Sequence, residues 1–195
     1  MVCLLHNTIL LVDNGSKHTP DLINFLRSRK KIIVRVDPYK FNLKRLKAEN
    51  IDGIILTGGS TKFIKKKRDF NFSIIRLFKG NPILGICLGH EFLIEYYKGG
   101  VYKMSLRSQG WSYINLRRDN ELVKGKKKLY VYKGHSFAVG ILPNSFEQLA
   151  WSSDCENEMI EHKVYPHYGV QFHPEMNPVG HEILDNFLKL CRKAA

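Results

Sequence analysis

The chain has 195 residues, of which 44% are hydrophobic and 25% are charged, a balance typical of one globular domain with one core. Its 31 Lys and Arg residues against 18 Asp and Glu residues give a net charge of +13. Three explanations of this charge remain: a nucleic-acid partner, an acidic partner protein, or only a well-solvated surface. The basic runs at 65–68, 117–118 and 126–128 lack interleaved aromatic residues. We therefore interpret them as solvated loops, with a charged docking surface as the alternative, and expect no nucleic-acid partner.

The cysteines and the apolar runs exclude several other classes of protein. None of Cys3, Cys87, Cys155 and Cys191 forms a C-x-x-C pair, so the spacing indicates no metal site and favours reduced thiols in the cytosol. The apolar start lacks a basic leading region, which predicts a first strand rather than a signal peptide. No uninterrupted apolar run approaches ~18 residues, so we expect no membrane span and a cytoplasmic protein.

The first half of the chain alternates strand-like and helix-like segments. Short apolar runs rich in branched residues predict strands at 8–13, 31–36, 53–56 and 82–87. Four helices are predicted between and after these strands. The first has Thr19 as its cap and Pro20 as its first helical residue, and the second covers 41–50. The third ends at Gly80, and the fourth runs from 88 to the glycine pair at 99–100. This alternation predicts a parallel sheet with helices on both faces.

The second half changes to short, branched and aromatic segments separated by turns. These predict strands at 111–116, 128–132, 137–140, 147–152, 158–163 and 167–172, followed by a last helix over 180–193. We therefore predict a single α/β domain over 1–195. Its sheet is mostly parallel and open, with helices on both faces and additional short antiparallel strands in the C-terminal half.

Two glycines surround Cys87, at positions 85 and 89. A predicted strand ends and a predicted helix begins at this cysteine with no loop residues between them, so the turn must be sharp and a Cβ at either glycine would clash. The helix N-terminus favours a thiolate, and the N–H of Leu88 is positioned to face a developing oxyanion. A small buried cysteine near a strand end is the alternative interpretation.

A thiolate nucleophile needs a base, and His173 has the most suggestive setting among the eight histidines. It follows a strand-like segment, Pro174 stiffens the exit, and Glu175 lies two residues on, where it can hold the imidazole in one tautomer. The alternative is a surface histidine beside an unrelated carboxylate. We expect His90 to pack against the sheet, whereas His135, in a predicted turn, is a second candidate to line the same cleft.

The strand at 53–56 ends in Gly58 and Gly59, one strand–helix unit before Cys87. Ligands bind at this carboxyl edge of open α/β sheets, so the N–H of Gly59 is a candidate second oxyanion donor. The alternative is a simple glycine-rich turn.

Three ordered stretches, "GIILTGGS", "GICLGH" and "YGVQFHPE", resemble the motifs of the class I (triad) glutamine amidotransferases. The resemblance covers essentially the whole chain and implies that L-glutamine is hydrolysed through a thioester. It implies Cys87 as nucleophile, His173 as general acid and base, and Glu175 as the residue that orients His173. The N–H groups of Gly59 and Leu88 would stabilise the oxyanion.

The resemblance also implies a partner, because the family delivers ammonia to a second active site and this chain has no room for a synthetase domain. ATP and Mg²⁺ are expected on that separate synthetase, and no cofactor is expected in this chain. The stretches at 10–19, 161–175 and 180–187 resemble the glutaminase component of GMP synthetases, which implies GMP synthesis from XMP. The small subunit of anthranilate or aminodeoxychorismate synthase is the alternative.

Two departures from the family pattern concern substrate binding. Glu91 stands where the family usually has a glutamine that contacts the substrate. Gln109, Gly110 and Trp111 align with the family's substrate-binding backbone stretch but do not match the tyrosine-glycine pattern usual in GMP synthetases. These residues are the predicted substrate contacts. Glu91 and the net charge leave open a non-catalytic binding or regulatory module, and a stand-alone hydrolase of γ-glutamyl compounds is a further alternative.

Overall fold

The computed structural model describes residues 8–43, 46, 51–62 and 64–193. Its strands are β1 Thr8–Val12, β2 Ile32–Val36, β3 Gly53–Leu56, β4 Ile83–Ile86, β5 Gly100–Leu116, β6 Lys128–Ile141, β7 Phe146–Trp151, β8 Met159–His162 and β9 His167–Val170. Its helices are α1 Thr19–Ser28, α2 Ile64–Leu77, α3 Leu88–Tyr96 and α4 Pro178–Lys193, with a short 3-10 helix at Pro174–Met176. Cys3 and most of the helix predicted over 41–50 lie outside the described residues.

The described strands form one sheet in the order β2-β1-β3-β4-β9-β8-β7-β5-β6. β2, β1, β3, β4 and β9 pair in parallel, and every pairing from β9 through β8, β7 and β5 to β6 is antiparallel. The predicted α/β fold with a parallel half and an antiparallel C-terminal half is confirmed. β9 therefore joins the two halves of the sheet.

Strand alternation explains why helices cover both faces of the parallel half. Along β1, Ile9 and Leu11 belong to the core cluster that contains residues of α1 and α4, whereas Leu10 and Val12 belong to the cluster that contains residues of α2 and α3. Side chains two residues apart on a strand lie on the same face. A strand buried on both faces is continuously apolar, which is the pattern of the parallel strands here.

Two antiparallel strands are longer than predicted, since β5 has 17 residues and β6 has 14. The predicted strands at 128–132 and 137–140 are one strand, and His135 lies within it rather than in a turn. The reason is that β6 pairs with β5 on both sides of a register shift between Lys103 and Ser108, so the pairing continues past Gly134.

Two local predictions in the helices need correction. Thr19 is the first residue of α1 and His18 occupies the N-cap without a side-chain capping hydrogen bond, so Thr19 is not the cap. The basic run at 65–68 lies in α2 rather than in a loop. Lys67 in this run is buried, and its ammonium donates to the carbonyl oxygen of Ser60 at 2.8 Å.

No helix in the described ranges has the length and apolarity that crossing a membrane requires.

Candidate active site

Cys87 alone connects β4 to α3, and its backbone is strained. Its φ is 50°, in a region that non-glycine residues rarely adopt. A Cβ on Gly85 would lie 2.6 Å from the carbonyl oxygen of Gly89, and a Cβ on Gly89 would overlap the carbonyl oxygen of Leu56. Both neighbouring positions therefore accept only glycine, which is the reason expected for their spacing around the cysteine.

His173 and Glu175 lie just beyond the end of β9 and form a buried pair. The imidazole Nδ1 lies 2.9 Å from the Glu175 Oε1 atom, and both side chains are buried. An ionised carboxylate only accepts hydrogen bonds, so Nδ1 carries the proton and Nε2 is left as a proton acceptor. The backbone N–H of His173 donates to the carbonyl oxygen of Tyr132 at 2.9 Å, which fixes the segment against β6.

The cysteine and the imidazole meet beside Gly58. The position that a Cβ on Gly58 would take is 3.1 Å from His173 Cε1 and 3.3 Å from Cys87 Cβ. The sheet produces this proximity, because β4 and β9 are parallel neighbours and the N–H of Cys87 donates to the carbonyl oxygen of Val170 at 2.8 Å. The carboxyl ends of adjacent parallel strands lie at the same edge of a sheet.

A cavity of about 430 Å³ opens over this edge of the sheet. Cys87, Leu88, Glu91, Gly59 and His173 all contribute to its walls. A thiol, an imidazole that can accept a proton, and backbone N–H groups in one cavity of this size suit nucleophilic attack on a small carbonyl substrate.

Comparison with known proteins decides the family. The sequence model of the family described as Glutamine amidotransferase class-I matches residues 10–191. This chain belongs to the class-I glutamine amidotransferases.

Relatives of this amidotransferase cover nearly its whole length. It is 34% identical to a glutamine-hydrolysing GMP synthase subunit of Pyrococcus abyssi, over 94% of this chain and 98% of the relative. It is 36% identical to the corresponding protein of Methanococcus aeolicus, over 94% of this chain and 97% of the relative. A crystal structure from Thermoplasma acidophilum superposes with a TM-score of 0.87 at 26% identity, covering 95% of this chain and 94% of that one.

A glutamine amidotransferase of Thermotoga maritima agrees in fold. Its structure gives a TM-score of 0.74 at 22% identity, over 94% of this chain and 81% of that chain.

The surroundings of the amidotransferase thiol oppose its ionisation. Burial raises the pKa of Cys87 well above its usual value, and the nearby Glu91 carboxylate raises that pKa further, whereas a hydrogen bond from the Leu88 N–H lowers it. The Nε2 amide of Gln171 lies between the two groups, 4.0 Å from the Cys87 sulfur and 3.1 Å from the Glu91 Oε1 atom. Burial therefore opposes the helix N-terminus, which favours a thiolate at this position.

Glu91 lies in the cavity with an unusual titration. Burial raises the pKa of this carboxyl group to about 7, against the lowering effect of the hydrogen bond from Gln171. The group therefore changes charge close to neutral pH, one turn of α3 away from the cysteine. It is the one predicted substrate contact that the structure places in the cavity walls.

The two predicted oxyanion donors, Leu88 and Gly59, both line the cavity. Leu88 is the first residue of α3, and its N–H points at the Cys87 sulfur. Gly59 forms an isolated bridge with Gly15, and a Cβ at position 59 would overlap the carbonyl oxygen of Asn14. The glycine is therefore needed for the close approach of the β1 and β3 ends.

The structure does not bring Gln109, Gly110 and Trp111 into the amidotransferase cavity. Strand β6 lies between these residues and His173. Tyr132 of β6 forms an isolated β-bridge with His173 and also pairs with Trp111 of β5. Gln109 and Gly110 line a different cavity, and Trp111 is exposed. The alignment of motifs contains no information about the strand that separates this stretch from the site.

Several residues of the cavity wall could not be identified from the sequence. They include His18, Arg107, Gly134, Ser136 and Phe137, whereas His135 lines the cavity as predicted. The ring of His18 lies 4.6 Å from that of His173, and burial together with His173 lowers the pKa of His18. His18 follows the end of a parallel strand, so the rule that singled out Gly59 applies to it as well. His90 is fully buried and packs against Gly169.

A buried cluster behind the cavity contains three potential metal ligands. Ligand atoms of His135, Cys155 and Glu158 lie within 4.8 Å of one another. The ammonium of Lys133 contacts Glu158 and lies 2.6 Å from Asp154 Oδ1. This cation already pairs with Glu158, the one carboxylate among the three candidate ligands, so the charge of that carboxylate does not call for a metal ion.

Proposed function

We propose that this chain is the glutamine-hydrolysing component of a two-subunit GMP synthase. The observation that carries the proposal is the buried thiol of Cys87 beside an imidazole whose other nitrogen is held by Glu175. Family membership supplies the chemistry, and the relatives named as glutamine-hydrolysing GMP synthase subunits support the pathway. These relatives do not favour anthranilate or aminodeoxychorismate synthesis.

The reaction begins when His173 takes the proton of Cys87. The sulfur then attacks the side-chain amide carbon of glutamine, forming the S–C bond, and the carbonyl oxygen becomes an oxyanion that the N–H groups of Gly59 and Leu88 stabilise. The intermediate collapses with breakage of the C–N bond, and His173 returns its proton to the leaving nitrogen. Ammonia departs and a thioester remains on Cys87.

Hydrolysis of the thioester regenerates the enzyme. His173 accepts a proton from water as the oxygen attacks the thioester carbon, and the same two N–H groups again stabilise the oxyanion. The S–C bond breaks, the thiolate recovers the proton from His173, and glutamate leaves. Glu175 holds the imidazole in the tautomer that both half-reactions require.

Glu91 is proposed to bind the α-ammonium of glutamine. Its carboxylate lines the cavity within one helical turn of Cys87, and it has no basic side chain among its resolved hydrogen-bond partners. A carboxylate attracts an ammonium group and repels a carboxylate, so the α-amino end of the substrate lies toward α3. Gln109, Gly110 and Trp111 are not part of this proposed site.

The proposed partner is an ATP-dependent synthetase that aminates XMP in the cytoplasm. ATP and Mg²⁺ would bind there, and this chain would need neither for glutamine hydrolysis. The ammonia released at Cys87 would pass directly to the partner.

The test combines this chain with the XMP-aminating synthetase of the same organism. We expect GMP to form from XMP, ATP and glutamine, and Cys87→Ala to abolish this reaction while leaving GMP formation from ammonium salts unchanged. Glutamine-dependent GMP formation by the Cys87→Ala variant would contradict the nucleophile assignment. Absence of coupling by the unmodified chain would contradict the pathway.

A further inference from the structure

Four aromatic side chains form a continuous patch on one face of the β5–β6 ribbon. In the antiparallel register, Trp111 lies opposite Tyr132 and Tyr113 lies opposite Tyr130. The rings of Trp111 and Tyr130 stack with centroids 5.6 Å apart, and those of Tyr113 and Tyr130 are 4.8 Å apart. We call these four residues the aromatic patch.

The aromatic patch faces solvent, whereas the other face of the same ribbon packs on the core. Ile114, Leu129 and Val131 point inward and are buried. Tyr113 is 66% exposed, and Trp111 and Tyr130 are 45% and 43% exposed. The solvent face of such a ribbon is ordinarily polar. Adjacent exposed Trp and Tyr side chains are the composition of binding hot spots.

The aromatic patch is continuous with the wall of the cavity that holds Cys87. Its innermost member, Tyr132, contacts the ring of His18 with centroids 5.6 Å apart and that of His173 at 6.4 Å. His18 and His173 line the cavity themselves. A protein seated on the patch would therefore also cover the edge of the cavity.

We propose that the aromatic patch is the docking surface for the partner synthetase, an inference that rests on the proposed function. Ammonia released at Cys87 is lost to solvent unless the acceptor protein lies against the opening of the cavity, and the patch is an apolar surface continuous with the wall of this cavity. Basic side chains flank it, with Lys128 at its outer end and Lys17 and Arg107 at the cavity. The complementary surface of the synthetase is therefore apolar at its centre and acidic at its rim.

The test compares a patch variant with a matched surface variant. Tyr113→Ser/Tyr130→Ser removes two exposed rings that do not line the cavity, and Val164→Ser removes an apolar side chain that is 78% exposed in a loop outside the patch. The dissociation constant for the XMP-aminating synthetase is measured by interferometry, with glutamine-dependent GMP formation and partner-free glutamine hydrolysis measured in parallel. Tyr113→Ser alone serves if the double variant does not fold.

We expect the patch variant to raise the dissociation constant at least about tenfold, with partner-free hydrolysis unchanged and Val164→Ser like the unmodified chain. Equal binding by the patch variant overturns the docking surface but leaves the proposed function intact. An equal loss of synthetase binding in Val164→Ser also overturns it. If the patch variant keeps synthetase binding but loses self-association, the patch belongs to an interface with a second copy of this chain, and the proposed docking surface is likewise overturned. If the unmodified chain neither binds nor couples to the synthetase, the proposed function fails and this inference fails with it.

Discussion

At the scale of single residues, the surroundings of Cys87 oppose the ionisation of its thiol. The Cys87 thiol is buried, its pKa is raised, and the neighbouring Glu91 carboxylate opposes a thiolate. An ammonium group bound to Glu91 would neutralise that carboxylate and remove one of the causes that raise the pKa of Cys87. Substrate binding would then assist the deprotonation that catalysis requires.

The titration of Glu91 predicts how glutamine binding depends on pH. Its pKa of about 7 means that the ionised fraction rises from about a tenth at pH 6 to about nine tenths at pH 8. If the carboxylate binds the α-ammonium, the KM for glutamine should fall about tenfold over this interval. The measurement is a pH series of KM and kcat with saturating synthetase.

Glu91→Gln is the control for that series, because it keeps the hydrogen bond with Gln171 and removes the ionisation. We expect a KM that no longer changes between pH 6 and 8. A KM that rises with pH in the unmodified chain, or a fall that persists in Glu91→Gln, would show that the carboxylate is not the ligand of the ammonium group.

At the scale of structural elements, the turn between β4 and α3 depends on its two glycines. We expect Gly85→Ala to destabilise the protein by about 1–3 kcal/mol and to reduce glutamine hydrolysis, because the new Cβ would lie 2.6 Å from the Gly89 carbonyl oxygen and displace Cys87. Urea unfolding and glutaminase assays measure the two effects. Gly80→Ala is the matched control, since a Cβ there has nothing within 4 Å. Comparable losses in both variants would exclude the steric explanation.

The parallel half was predictable from sequence because its signals are local. A continuous apolar run such as 53–56 has the length of a buried strand, and the glycines at 85 and 89 limit the turn to one geometry. The antiparallel half was less predictable, since a register shift between two strands depends on the partner strand as well as on the local sequence. The sequence therefore predicts a turn at His135, where β6 continues.

The same difference applies to the candidate site. Cys87, His173 and Glu175 could be predicted because each lies in a short stretch with a local signal. Glycines surround Cys87, and Glu175 follows His173 by two residues at the end of a strand-like segment. Trp111 could not be assigned from its stretch, because β6 separates it from the cavity. His18 was missed because its importance comes from the ring of His173, 155 positions further along the chain.

At the scale of the whole molecule, a buried ion cluster supports the antiparallel half. The ammonium of Lys133 contacts Glu158 and donates to Ser152 Oγ at 2.8 Å, which connects β6 to the segment after β7. Removing one partner of a buried ion pair leaves an uncompensated charge, so we expect Lys133→Met to lower the free energy of unfolding by about 3–5 kcal/mol.

Urea denaturation checks that value, with Lys103→Met as the control at an exposed lysine of the neighbouring strand. We expect the control to change stability by less than about 0.5 kcal/mol. A Lys133→Met protein as stable as the unmodified chain would mean that the carboxylates of the cluster are protonated and need no cation.

The position of β9 between the two halves of the sheet has a consequence for refolding. Its pairing with β4 sets Gly85 beside Gly169 and Ile86 beside Val170, so that Cys87 and His173 emerge at one edge. A slip of one residue would turn every side chain of β9 to the opposite face and carry the imidazole away from the sulfur. Recovered glutamine turnover after dilution from denaturant should therefore report native strand registration, whereas far-UV circular dichroism would also count molecules that have paired their strands incorrectly.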